Sequence, residues 1–230
     1  LVVLEARQAA DFAQFATLNR QACPVLAMST AGSGRLPTLG VDLDIKTDLP
    51  KYRIWQYGAV QQEVTAIHPE LWRDDAVSFA LGCSFSFEQA LMAAGIELRH
   101  ITEGVNVPMY RTRIPLHQVG PFSGELVVSM RPMRPEQARV AARICAQYPL
   151  VHGAPIHQGD PSGIGITALE RPDFGDPVTI HSGEIPVFWA CGVTPQVALE
   201  QAKLPWAITH APGHMLITDV RNEDLRQTEA

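Results

Sequence analysis

Ala76-Val77-Ser78-Phe79-Ala80-Leu81-Gly82-Cys83-Ser84-Phe85-Ser86-Phe87-Glu88 is the stretch on which the reading of the fold turns. Six apolar or small residues with no polar alternation predict a strand buried on both faces. Gly82-Cys83-Ser84 then reads as a tight turn, and Phe85 to Ala94 as a helix closed by Gly95, with Ser84 or Ser86 as its cap. The same grammar returns at Ile185 to Ala190, followed by Cys191-Gly192-Val193, Thr194 as cap and Pro195 at the first helical position, with the helix running to about Lys203. Two strand-turn-helix units of one design suggest internal duplication. They predict an α/β fold: a parallel or mixed sheet with helices on both faces, and a site where the strands end.

Working outward, Leu1 to Leu4 predicts a strand, and Phe12, Phe15, Ala16 and Leu18 mark the apolar face of a helix over Ala9 to Leu18. Cys23 to Leu26 and Arg53 to Tyr57 read as extended, and His68 to Trp72 as the start of a short helix. Gly124 to Met130 is a further strand, followed by a helix from Pro135 to Gln147 with Ala138, Ala141, Ile144 and Cys145 on one face. This middle portion suggests a smaller two-layer α/β subdomain over residues 106–169. It would be inserted into a larger layer formed by residues 1–105 and 170–230, which carries both Cys turns. Trp206 to His210 and His214 to Val220 predict two strands around a histidine-flanked turn, and the charged tail after Arg221 is expected to fray.

The 230 residues carry a formal charge of −6, which argues against a nucleic-acid partner. A chain this long can bury about 70% of its extended surface without covalent staples. Charged residues are only 18%, a share that points to subunit contacts and hence a homodimer or higher homo-oligomer. Cys23, Cys83, Cys145 and Cys191 form no C-x-x-C pair, so neither a zinc ribbon nor a secreted disulfide framework is suggested and the cytoplasm is the expected compartment. No apolar run reaches the length of a membrane span, so no membrane partner is expected. The chain opens without methionine inside a strand, so residues upstream are expected to be missing.

Several stretches carry chemistry. The Gly82 to Glu88 turn sets a thiol, two hydroxyls and a carboxylate around one helix start, where free amides can hold a carboxylate and lower a thiol pKa. The plainer reading makes Ser84 and Ser86 caps, Cys83 a buried filler and Glu88 a favourable first-turn charge. Asn106-Val107-Pro108-Met109-Tyr110-Arg111-Thr112 offers an amide, a phenol and an Arg fork suited to a carboxylate. Ser129 and Arg131 supply a second polar, basic strand end. His152, His157, His210 and His214 sit in loops rich in glycine and proline, a setting for proton transfer or for plain hydrogen bonding to backbone. Pro212-Gly213 rules out the helix that a His210/His214 metal pair needs. Gly159 to Gly165 lacks both the dinucleotide and the Walker pattern, and Asp173-Phe174-Gly175 lacks every other kinase signature, although Asp176 could be a site acid. No metal site and no cofactor are expected, with a divalent ion kept as the alternative.

Taken in order, Gly82 to Glu88, Asn106 to Thr112, Val127 to Pro132, His152 to His157, Pro172 to Asp176, Phe188 to Gln196 and Thr209 to Met215 resemble the hydro-lyase family related to D-glutamate cyclase. The resemblance spans most of the chain. It implies a two-part α/β architecture and a hydro-lyase activity, known in mitochondrial relatives as closure of D-glutamate to 5-oxo-D-proline with loss of water. It also implies an Arg/Gly-rich segment ahead of Leu1. No catalytic assignment comes with it, so the roles are chemical.

Cyclisation needs a base for the α-amine, an oxyanion stabiliser and an acid for the departing oxygen. The candidates are His152 or His157 with His210 or His214 as counterpart, and Glu88 or Asp160 to hold the ammonium or orient a histidine. Arg111 or Arg131, with Asn106, Tyr110 and Ser129, would bind the α-carboxylate of a small carboxylate substrate. The turn at Cys83, Ser84 and Ser86 would face the γ-carboxylate, with Cys191 beside it. A Cys83 or Cys191 thioester ranks lower because acylation without phosphate activation is uphill. The competing readings are a metal-assisted hydro-lyase on a hydroxy acid and a non-catalytic carboxylate or amino-acid binding module.

Overall fold

A computed structural model describes residues 1–227. Its first sheet has six strands: β1 (Val2–Glu5), β2 (Val25–Met28), β3 (Tyr52–Gln56), β4 (Ala59–Val64), β5 (Ala76–Leu81) and β10 (Ala207–His210), in the order β2-β5-β1-β10-β3-β4. The second sheet has the order β6-β7-β9-β8, formed by β6 (Met109–Pro115), β7 (Glu125–Met133), β8 (His157–Gln158) and β9 (Ile185–Ala190). The helices are α1 (Ala6–Leu18), α2 (Phe85–Ala93), α3 (Arg99–Glu103), α4 (Pro135–Ala146) and α5 (Thr194–Ala202).

The α/β class is as read, but every ladder in both sheets is antiparallel rather than mixed. A strand buried on both faces carries the same apolar run in either direction, so composition alone does not reveal its neighbours' polarity. The second Cys unit, expected in the larger layer, lies in the other sheet: β9 pairs with β7, Ser129 opposite Trp189. The two units thus end strands of different sheets.

One core lies between the sheets. Phe12 and Phe15, one helical turn apart on α1, meet Phe122, and Phe12 also meets Phe79 of β5 edge-on at 4.9 Å. On the far side of the second sheet, Phe87 and Leu91 of α2 and Ala138 and Ala141 of α4 pack on Trp189 and Val187. This cover holds the start of α2 against the sheet beside the first Cys turn. Residues 214–220 form no strand, contrary to their apolar look. From Asn222 to Gln227 the chain is docked rather than frayed: Leu225 is buried, and the Gln227 amide donates to the Gln147 carbonyl at 2.7 Å; the rest of the tail lies outside the described residues.

Candidate functional site

Strand β5 ends at Gly82-Cys83 and β9 at Cys191-Gly192, and the two turns meet. A Cβ placed on Gly192 would lie 3.6 Å from the Gly82 carbonyl oxygen. In front of them opens a cavity of about 520 Å³ lined by Cys83, Ser86, Gln89 and His210 on one side, and by Met215 to Thr218, Val220 and Leu225 on the other. The non-strand segment after His214 is therefore a wall of the cavity. Gly82 has no room for a side chain, because a Cβ would overlap the Leu150 carbonyl.

Beneath the turn, Arg131 of β7 is wholly buried. Its Nε donates to Glu88 Oε1 at 2.9 Å, Nη1 to Ser129 Oγ at 3.0 Å and Nη2 to Ser84 Oγ at 3.1 Å. The guanidinium lies between the rings of Phe87 and Trp189, 5.5 and 5.4 Å from their centres. His100 of α3 adds its Nε2 at 3.2 Å from Glu88 Oε1. Burial pushes the Glu88 carboxyl upward, but the Arg131 charge and the His100 contact outweigh it and hold the group below the usual carboxylate range. Ser84 does not cap α2; its hydroxyl serves Arg131 instead. Ser86 is left at the cavity wall.

Burial raises the thiols. Cys191 is pushed up to about 12 and Cys83 is raised as well, despite a neighbouring Phe85 amide that works against the shift. The helix start therefore does not produce the thiolate that its sequence suggested.

His152 is fully enclosed at φ +82°, and its Nδ1 lies 2.8 Å from the Gln21 carbonyl oxygen. A carbonyl only accepts, so Nδ1 carries the proton. Burial lowers this imidazole to about 4, and Nε2 has no hydrogen-bond partner among the described residues. His210 is also lowered, well below its ordinary value, chiefly by burial. Its Nδ1 lies 3.1 Å from the Leu1 nitrogen and 3.3 Å from the Leu1 carbonyl oxygen, so one end of the ring is held by the chain segment ahead of β1.

The other expected residues lie elsewhere. Arg111 on β6 is engaged on both fork nitrogens by Glu200 of α5, each at 2.8 Å. Tyr110 donates to the Leu169 carbonyl at 2.7 Å, and burial raises its phenol. His157 Nε2 is 2.6 Å from the Asp160 carbonyl oxygen, and the Asp160 carboxylate accepts from Ser162. That self-contained turn lies outside the cavity at the Cys turns. Asn106 and His214 line a second cleft, remote in composition from the first. Asp176 accepts from the Asn106 amide at 3.0 Å.

Sequence reasoning did not single out His100, Gln21, Gln89 or Glu200. Gln89 follows Ser86 by three positions, so a helix-face count could have found it. The partners of buried charges carry no local mark. Among the described residues, no three His, Cys, Asp or Glu side chains group as metal ligands do. No helix among them is long and apolar enough to cross a membrane.

The sequence model of the D-glutamate cyclase family matches residues 77–219, from β5 through both Cys turns to the cavity's far wall. The chain belongs to the D-glutamate cyclase family. This is a family of carbon–oxygen lyases, and Glu88, Arg131, His152 and His210 all fall within the matched span. A Burkholderia multivorans protein named "Putative hydro-lyase" is 56% identical over 225 residues, 98% of this chain and 86% of its own length. A namesake from Rhodopseudomonas palustris strain TIE-1 is 54% identical over 225 residues, covering 98% and 82%. One from Jannaschia sp. is 55% identical over 223 residues, covering 97% and 84%. The family's hydro-lyase character thus extends over nearly the whole chain.

Proposed function

We propose that this chain is a hydro-lyase for a small amino-acid carboxylate, and that D-glutamate, closing to 5-oxo-D-proline and water, is its substrate. The observation that carries this reading is one cavity holding both His210, half-buried with its imidazole pushed well below the ordinary value, and the N-terminal turn of α2 with the Ser86 hydroxyl.

The chemistry follows from those groups. The substrate ammonium must lose a proton before its nitrogen can attack; the lowered His210 imidazole is an unprotonated but weak base for that step, and the imidazolium so formed is a correspondingly strong acid for the later one. The nitrogen then bonds to the γ-carboxyl carbon, and negative charge grows on oxygen. The positive end of the α2 dipole and the Ser86 hydroxyl are suited to hold that charge. The C–O bond breaks as the imidazolium returns its proton to the departing oxygen. A second proton leaves nitrogen by the same route, so two hydrogens and one oxygen depart as water. The buried Glu88–Arg131 pair holds the turn rigid beneath the reacting carboxylate. Raised thiols at Cys83 and Cys191 disfavour a thioester route.

No step uses a cofactor. The low charged share supports a homo-oligomer and the scattered cysteines support the cytoplasm; light scattering and fractionation test them. The reaction is tested by incubating purified protein with D-glutamate, L-glutamate and 5-oxoproline, with and without chelator, and following interconversion by chiral mass spectrometry. Chelator-resistant 5-oxoproline from D-glutamate, lost in His210→Asn, is expected. Turnover abolished by chelator would replace this reading with metal-assisted chemistry. Ligand-induced stabilisation without turnover would replace it with a binding module.

A further inference from the structure

The second cleft, about 390 Å³, lies where the β3–β4 edge of the first sheet meets the loops flanking β6 in the second. The reaction above uses none of its side chains. Yet three stretches singled out by sequence converge there: Asn106 to Thr112, Asp173 to Asp176 and the His210 to His214 loop.

Its charges are separated. Lys51 and Arg53, two residues apart on one side of the β3 strand, carry two positive charges, and Glu63 of β4 sits at 3.5 and 2.9 Å from them. That wall retains one net positive charge, 2 − 1 = +1. The wall from the second sheet carries the Asp173 carboxylate, one of whose oxygens accepts from the Arg111 amide at 2.8 Å. Beside it, the Asn106 side-chain amide makes no hydrogen bond among the described residues. His214 donates from Nδ1 to the Pro212 carbonyl at 3.0 Å, which leaves Nε2 as an acceptor.

The walls are also locked together. Gly213, at φ +78°, has no room for a side chain against the Asn106 amide, nor has Gly175, at φ +73°, against the Val107 carbonyl. The Asp176 amide donates to the Asn106 carbonyl at 3.1 Å, and the Ala211 amide to that of Lys51 at 2.9 Å. Arg53 is fixed by Glu63 and by buried Gln196, whose Oε1 accepts from its Nη1 at 3.2 Å. A rigid cleft loses little freedom on binding.

We propose that this cleft is a second small-molecule site, which binds an α-amino acid as its zwitterion. The carboxylate faces Lys51 and Arg53, the ammonium faces Asp173, and Asn106 and His214 Nε2 supply directional hydrogen bonds. Opposed single charges on two fixed walls fit a ligand carrying both charges and fit neither a simple anion nor a simple amine. The inference does not rest on the proposed reaction.

The test uses three probes of similar skeleton: D-alanine, propionate and ethylamine. Histidine ring signals of the whole protein are followed by NMR, with His214 assigned by its loss in His214→Gln and His210 by its loss in His210→Asn. D-Alanine is expected to shift the His214 signal saturably, with propionate and ethylamine far weaker. Lys51→Gln, at a partly exposed position, and Asp173→Asn, at an exposed one, should each weaken D-alanine about fivefold without lowering the melting temperature. A shift at His210 alone, an equal response to propionate, or undiminished binding in Lys51→Gln overturns the proposal. Each of these results stands whether or not D-glutamate is turned over.

Discussion

Arg131 and Glu88, 43 residues apart in sequence, form an ion pair inside the protein directly beneath the first Cys turn, with Arg131 Nε 2.9 Å from Glu88 Oε1. The pair ties α2 to β7, so the cavity wall carrying Cys83 and Ser86 depends on a buried pair of charges. Each of the three nitrogens of the Arg131 fork donates to a protein acceptor, and the guanidinium lies by the rings of Phe87 and Trp189.

Removing one partner leaves a buried charge unpaired. Arg131→Met should therefore cost about 3–5 kcal/mol of stability, read by urea unfolding at pH 7. Because the folded Glu88 carboxyl lies below its unfolded value, its contribution is complete above about pH 4.3 and is lost as pH falls toward the folded value. Wild type should lose stability through that acid range, and Glu88→Gln should lose less.

His152 titrates in a different window. With an ordinary value near 6.5 in the unfolded chain and about 4 in the fold, the unfolded state binds more protons between those limits. Stability is complete above pH 6.5 and falls by roughly 3 kcal/mol as pH drops to 4, and His210 adds to the loss in the same direction. Unfolding curves of His152→Gln from pH 7.5 to 4.5 should show a visibly shallower slope, whatever the variant's stability at pH 7.5. An unchanged slope would contradict a neutral His152.

Arg111 was a candidate carboxylate clamp by sequence, but its fork is filled by Glu200 and it borders neither cavity. Both side chains are about one-third exposed, so Arg111→Ala should cost only about 0.2–1 kcal/mol. Its kcat/KM on the first-cavity substrate should stay within about twofold of wild type. A large fall in kcat with an intact fold would restore the clamp.

The two turn glycines look alike in sequence and should behave differently. A Cβ on Gly82 meets the Leu150 backbone, so Gly82→Ala should lose at least about 1–3 kcal/mol. On Gly192 the nearest atoms are at 3.6 and 3.8 Å, and Gly192→Ala should shift stability by no more than about 1 kcal/mol. Thermal melts of the two variants decide the point.

Thiol labelling reads burial directly. Cys23, Cys145 and Cys191 are buried and pushed up to about 12, while Cys83 is half-buried at the cavity wall. Iodoacetamide at pH 8 should therefore modify Cys83 first, and more slowly than a free cysteine. Mass spectrometry of the digested protein identifies the site.

Local patterns carried far. The run Ala76 to Leu81 with its turn and helix, the repeat at Ile185 to Lys203, and β7 followed by α4 were all legible, because burial, helix starts and stops, and tight turns act over a few neighbouring residues. Residues 214–220 misled, since their apolar side chains line a cavity instead of filling a sheet. Leu225 and Gln227 misled in the opposite sense, their charged surroundings hiding a docked segment.

The amino-acid sequence by itself determined the α/β class, the two Cys-bearing strand ends and membership of the D-glutamate cyclase family, since all three lie in short ordered blocks. Only the tertiary structure decided which polar groups stay free. Arg131 finds Glu88 across 43 residues and Arg111 finds Glu200 across 89, and His152 loses its charge because distant segments close over it. A charge is neutralised, paired or left for a ligand by whatever packs within a few ångströms, and that neighbourhood comes into being only when the chain folds.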